Sequence, residues 1–132
     1  MNQYVLDTNI VSYCLKGLYN LESRIEAVLD NGDSIILSPV TMYEILRGLY
    51  AVKANYRMNL FTTLCMQFEE KEIVKSDWIE AAKLYAENLN HPMSESDLLQ
   101  AAFCIHNGYT LVTHNVKHFE HLQNLLFEDW IH

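Results

Sequence analysis

Asp7, Glu44, Asp97 and Asn115 are the residues of this chain whose types and positions could share one piece of chemistry. Asp7 closes a short apolar run, Tyr4-Val5-Leu6, that reads as a buried strand. Glu44 lies about one turn into the helix that follows a second run, Ile35-Ile36-Leu37. Asp97 opens the helix leading to a further strand, Tyr109-Thr110-Leu111-Val112, and Asn115 follows that strand. In an open parallel sheet the crevice beyond the carboxyl ends of the strands collects function, so these four side chains are expected to meet there. Oxygen ligands suit hard divalent cations such as Mg²⁺ and Mn²⁺, and Mg²⁺ takes one or two carboxylates while keeping several waters. Water on such a metal is more acidic, and a second metal can stabilise the leaving oxygen of a phosphodiester. A set without Cys or His suits phosphodiester hydrolysis better than zinc chemistry.

Each carboxylate also has a plainer role open to it. Asp7 could cap the short helix after it, and Asp97 could be an N-cap. Glu44 could sit on a solvent-facing helix surface, paired with Arg47 at i, i+3. Taken singly, those roles are the commoner ones. Their convergence on one crevice is what favours a site.

The elements that must position these residues follow from periodicity and breakers. Helices are expected over residues 10–15, 20–30, from a Ser38-Pro39 start to about 54, over 57–68, from an Asp77 cap to about 90, and from Asp97 to 105. Strands are expected at 4–6, 34–37, 72–74 and 109–112, with a weak fifth at 125–127. The unbroken Ile35-Ile36-Leu37 run suggests burial on both faces, as in a parallel sheet. Alternating helices and short strands imply a parallel α/β sandwich with right-handed crossovers. No repeat or linker divides the chain, so residues 1–132 are expected to form a single domain.

Half of the residues are hydrophobic, enough for a real core, yet no apolar stretch approaches the roughly 18 residues of a spanning helix. No basic region followed by an apolar stretch and a cleavage site opens the sequence. Cys14, Cys65 and Cys104 are odd in number and unpaired in spacing, which fits reduced thiols and a cytoplasmic location. The net charge of −8 has the wrong sign for direct phosphate binding, which normally draws on clustered Lys and Arg. It accords with carboxylates gathered around cations, or with plain solubility, and makes a basic partner plausible.

These pieces carry a family resemblance. Leu6-Asp7-Thr8-Asn9, then Ser38-Pro39-Val40-Thr41 leading to Glu44-Ile45-Leu46-Arg47-Gly48, resemble a PIN-domain ribonuclease. So do Ser96-Asp97-Leu98-Leu99 with Ala101-Ala102, Leu111-Val112-Thr113-His114-Asn115 running into Phe119, and the ending Leu126 with Glu128-Asp129-Trp130. The likeness is closer still to VapC-type toxins of type II toxin–antitoxin systems, and it runs the whole length of the chain.

The resemblance implies a PIN-like three-layer α/β/α sandwich around a central, mainly parallel sheet of four or five short strands. It implies an Mg²⁺- or Mn²⁺-dependent endoribonuclease, acting on structured RNA such as tRNA, and held in check by a VapB-like antitoxin. Asp7, Glu44 and Asp97 match the family's acidic triad and would hold the metal, with Thr8, Asn9, Thr113 and Asn115 in support. His118 stands where many relatives carry a further acidic residue, with Glu120 two residues on, so one metal or two stays open. Arg47 is the candidate for touching an RNA phosphate or the antitoxin. Tyr43, Leu46, Leu49, Tyr50, Leu60, Phe61, Leu64 and Met66 supply more apolar surface than one domain face needs, suiting an amphipathic antitoxin helix or a homodimer contact. Two other readings stand beside this one: a non-catalytic PIN-like binding module, and a metal-dependent nuclease acting on DNA. The acidic triad argues against the first, because clustered carboxylates repel without a cation.

Overall fold

The computed structural model describes residues 1–132. Its centre is β1 (Gln3–Leu6), and the chain then runs through α1 (Thr8–Leu15), α2 (Leu21–Asp30), β2 (Ser34–Leu37), α3 (Pro39–Ala51) and α4 (Asn55–Cys65). It continues with β3 (Glu69–Glu70), α5 (Lys75–Glu87), α6 (Glu95–Asn107), β4 (Thr110–Val112), α7 (Val116–Phe119) and β5 (Leu126–Glu128). The five strands form one sheet in the order β3-β2-β1-β4-β5, and every pairing is parallel.

Alternation along the strands divides the core into two. Tyr4, Leu6, Ile35, Leu37 and Val112 face the layer of α1 to α4, packing on residues such as Ile10, Ile25, Leu49 and Phe61. Val5, Ile36 and Leu111 face the layer of α5 to α7, against Leu84, Leu98, Phe103 and Phe119. Both faces of the central strands are therefore buried, as their continuous apolar runs require. This is the expected three-layer α/β/α arrangement, with the sheet parallel throughout.

Several boundaries differ from expectation for physical reasons. The third strand is Glu69–Glu70, not residues 72–74. Phe68 is anchored in the core, so the two residues after it fall alongside Ile36 and Leu37, whatever their side chains prefer. Glutamates on that edge also discourage further strand pairing. Asp77 is not the cap of α5 but sits inside it, accepting from the backbone N–H of Val74 at 2.9 Å and from the Asn107 amide at 2.9 Å. That makes it a buried tie between the start of α5 and the end of α6. Similarly, α6 starts before Asp97, because Ser94 is the cap and accepts from the Asp97 N–H. The short helix α7 falls where no element was expected. Gly108 ends α6 with φ +71°, a left-handed turn that sends the chain into β4.

The chain adds β2 and β3 on one side of β1 and then returns to place β4 on the other, so the strand order switches direction between β1 and β4. Both strands end there in polar residues: Asp7 after Leu6, and Thr113 after Val112. The N–H of Asp7 donates to the Val112 carbonyl at 2.8 Å, carrying the ladder one step past the strand.

Candidate active site

Asp7 is only 6% exposed at this switch point, and its carboxylate is held from three directions. Oδ1 accepts from its neighbour's backbone N–H, Thr8, at 3.0 Å and from the Gln100 side-chain amide at 3.2 Å. Oδ2 accepts from the Thr113 hydroxyl at 2.8 Å. Asp7 does stand at the cap position of α1, as the plainer reading has it. Two of its three donors nevertheless come from across the sheet, which capping does not require. A carboxylate has about four acceptor positions, so one on Oδ2 remains unclaimed. Burial pushes the Asp7 carboxyl above its ordinary range; the three donors pull it partly back, and the negative charge of Asp97 adds to the rise. A buried carboxylate penalised in this way gains from a cation.

Gln100 is the hub of a polar network that the sequence reading missed. It is 1% exposed. Its amide nitrogen also donates to the Thr41 hydroxyl at 2.8 Å, while its amide oxygen accepts from the Ser38 hydroxyl. Thr41 in turn donates to the Leu6 carbonyl at 2.8 Å, and Ser38 accepts from the Val40 N–H at 3.2 Å. Each amide hydrogen and oxygen of Gln100 thus has a partner, which a buried polar group needs. The signal was present in α6: a Gln one turn after Asp97, on a face that continues one turn later with Phe103 and Cys104.

The other two acids are joined to Asp7 indirectly. Thr8 links the first: its N–H serves Asp7, and its hydroxyl donates to Glu44 Oε1 at 2.6 Å. The other Glu44 oxygen lies 3.6 Å from the Arg47 guanidinium, which also covers the Tyr43 ring at 5.2 Å. Asp97 stands one turn before Gln100 on α6, and its Oδ2 lies 3.0 Å from Nδ1 of His118. As the side chains stand, no three acidic, imidazole or thiol groups converge on a single ion position. A cation that keeps its waters and uses one or two carboxylates does not need them to. The donor set is all oxygen and hard, and Asp7 is electrostatically short of a positive neighbour, so the residues fit an Mg²⁺-type ion.

The remaining expected residues fall on either side of this arrangement. Thr113 binds Asp7 directly, and Asn115 contributes through its backbone, donating its N–H to the Thr113 hydroxyl at 3.1 Å. Asn9 does not reach Asp7; its side-chain oxygen accepts from the His114 N–H at 3.5 Å. Glu120 is exposed and acts on His121, raising its proton affinity against a larger lowering by burial. Around Glu44 two hollows open. One, about 220 Å³, is lined by Thr8, Lys16, Glu44 and Arg57; the other, about 520 Å³, by Tyr43, Glu44, Arg47, Ser94 and Ser96. The cysteines offer no competing nucleophile: burial pushes Cys14 and Cys65 up to about 11 and raises Cys104 well above its ordinary value.

Comparison with known proteins agrees with this fold. The PIN domain family model matches residues 4–125, a span containing all three acids. Ribonuclease VapC1 of Haemophilus influenzae (strain R2866) is 25% identical over 136 residues, covering 96% of this chain and 97% of the relative. Ribonuclease VapC2 of Rickettsia felis is 27% identical over 135 residues, with the same coverage. Among solved structures, VapBC2 from Rickettsia felis, bound to a DNA fragment from its promoter, superposes with a TM-score of 0.89 at 25% identity, covering 97% of this chain and 98% of that one. VapBC from Salmonella typhimurium, also bound to DNA, superposes at 0.86 and 20% identity, covering 98% and 99%, a likeness of fold.

Proposed function

The chain belongs to the PIN domain family, and on that premise we propose that it is the toxin of a VapBC-type pair, a divalent-metal-dependent endoribonuclease acting in the cytoplasm as one domain. Its substrate is a structured RNA of the tRNA kind, and its antagonist a VapB-like antitoxin. The observation that carries this reading is Asp7: a buried carboxylate, raised in proton affinity, fixed by Thr8, Gln100 and Thr113, and left with one free acceptor position.

In this reading Asp7, Glu44 and Asp97 hold Mg²⁺ or Mn²⁺, directly or through waters. When bound there, the cation supplies charge stabilisation to the phosphodiester and acidifies water for the attack. The chain's own residues do the rest. Gln100 and Thr113 keep Asp7 from turning, Thr8 sets Glu44 beside it, and His118 orients Asp97. Arg47, 59% exposed beside Glu44, contributes a cation for an RNA phosphate on a chain otherwise short of them.

The antitoxin reading draws on the likeness to VapB-bound relatives and on a groove of about 250 Å³ between α1, α2 and α4. Leu15, Ile25, Leu60 and Leu64 line it, and Glu22 and Glu26 border it. Apolar walls with an acidic rim suit an amphipathic helix bearing Lys or Arg. Tyr43, Tyr50 and Met66 stay exposed on α3 and beyond α4 and are offered to a homodimer.

The test is cleavage of total cellular RNA by the purified chain, with fragment ends mapped. Discrete cuts that need Mg²⁺ or Mn²⁺ and vanish with Asp7→Asn are expected. Cuts that survive a chelator, or an equally active Asp7→Asn, would sink the reading.

A further inference from the structure

Next to Thr113 begins a group of rings with no place in the mechanism above. Tyr13, on α1, meets Tyr19 edge-on, with ring centres 5.2 Å apart. Both rings meet His114, at 6.2 Å from Tyr13 and 6.5 Å from Tyr19, the latter at a shallow 35° tilt. His114 follows Thr113, the residue whose hydroxyl holds Asp7, so the group begins one residue from the site. Asp129 Oδ2, 3.0 Å from His114 Nδ1, fixes the imidazole.

Two features set this group apart from ordinary core packing. Tyr19 is 52% exposed, yet its backbone lies at φ +60°, followed by Asn20 at φ +57°. A bulky residue in the left-handed region is an outlier, and the ring it displays is half in solvent. Asn20 gains no side-chain capping bond in exchange. Next to the rings, the side-chain nitrogen of Asn9 is buried and has no hydrogen-bond partner, although its oxygen is used by the His114 N–H. A buried N–H₂ without an acceptor is rare and calls for one.

We infer that Tyr19, backed by Tyr13 and His114, is a stacking platform for an unpaired nucleobase of the RNA. The inference rests on the ribonuclease reading and adds to it where the substrate chain runs next to the cut. Single-stranded RNA is held by stacking of splayed bases on aromatic faces, which tolerates sequence, together with polar contacts to sugar and phosphate. An acidic site with few cations needs such charge-independent affinity more than a basic one does.

The experiment measures binding of a short fluorescein-labelled oligoribonucleotide in Ca²⁺ to the full chain, for wild type, Tyr19→Asn and Tyr19→Trp. Asparagine tolerates the left-handed backbone but has no ring, so Tyr19→Asn should melt at the same temperature or higher while binding about tenfold more weakly. Tyr19→Trp should bind at least as well as wild type. Scanning one abasic position along the oligonucleotide should find a place where wild type and Tyr19→Asn bind equally. Unchanged affinity in Tyr19→Asn, or weakened binding matched by a lowered melting temperature, would overturn the platform. So would weakened binding of the antitoxin with RNA affinity intact. If wild type neither binds nor cuts RNA with any divalent cation, the ribonuclease reading falls and takes the platform with it. RNA cutting with an indifferent Tyr19 removes the platform alone.

Discussion

Asp7 and Asp97, both assigned to the proposed site, are held in opposite ways. Asp7 is fixed by donors from α1, α6 and the end of β4, and the α6 donor, Gln100, is itself held by Thr41 and Ser38. Asp97 is 21% exposed and has one side-chain partner, His118, itself 55% exposed on the four-residue helix α7. The first carboxylate is part of the core; the second sits on a rim. Preorganisation therefore differs across one site. In the proposed metal site the Asp7 side would be set before any cation arrives, whereas Asp97 and Glu44 would have to turn from their present partners to meet it.

Removing the hub should break that contrast most severely. Gln100→Ala takes one donor from Asp7 and one from Thr41, leaves the Ser38 hydroxyl without its acceptor and opens a cavity in the core, so urea unfolding should show a loss of about 3 kcal/mol. Thr113→Val keeps the shape but deletes the donor to Asp7 Oδ2 and the acceptor for the Asn115 N–H. A loss of about 1–2 kcal/mol is expected, with metal affinity falling alongside stability.

On the rim the balance reverses. His118→Ala should leave unfolding within about 0.5 kcal/mol of wild type, because an exposed pair contributes little. Its effect should appear as a several-fold drop in cleavage rate instead. A His118→Ala protein as unstable as Gln100→Ala would erase the distinction between the two halves.

Contrasts of this kind explain what was legible in the sequence. β1, β2 and the Ser38-Pro39 helix start could be read because local residue choice and burial agree there. The position of Asp7 at a strand end followed directly. β3 escaped because its pairing is set by Phe68 in the core and not by its own glutamates. Asp77 looked like a cap because its real partner, Asn107, is distant in sequence. Gln100 escaped for the same reason: three partners, Asp7 at the end of β1 and Ser38 and Thr41 at the start of α3, meet it only in three dimensions. His118 could be placed near the site by the family resemblance, but its bond to Asp97 could not be foreseen.

The smallest predicted effect lies past the rim, at His121. Its ring stacks on His91 at 4.8 Å, and its Nε2 is buried without a partner. Burial, then the neighbouring His91, lowers its proton affinity below the ordinary value of 6.5. A base depressed in the folded state adds stability above its unfolded pKa and loses it as pH falls through the folded one. Stability should thus decline slightly below pH 6.5, and His121→Phe should flatten that decline in pH-dependent unfolding.

The central claim is that the preorganised Asp7 is the cation's first ligand. Calorimetric titration of Mn²⁺ into chelator-treated protein tests it most directly, comparing wild type with Asp7→Asn. Saturable binding in wild type, weakened more than about a hundredfold in an Asp7→Asn protein that still unfolds cooperatively, is the predicted result. Equal affinity in the two proteins would contradict it.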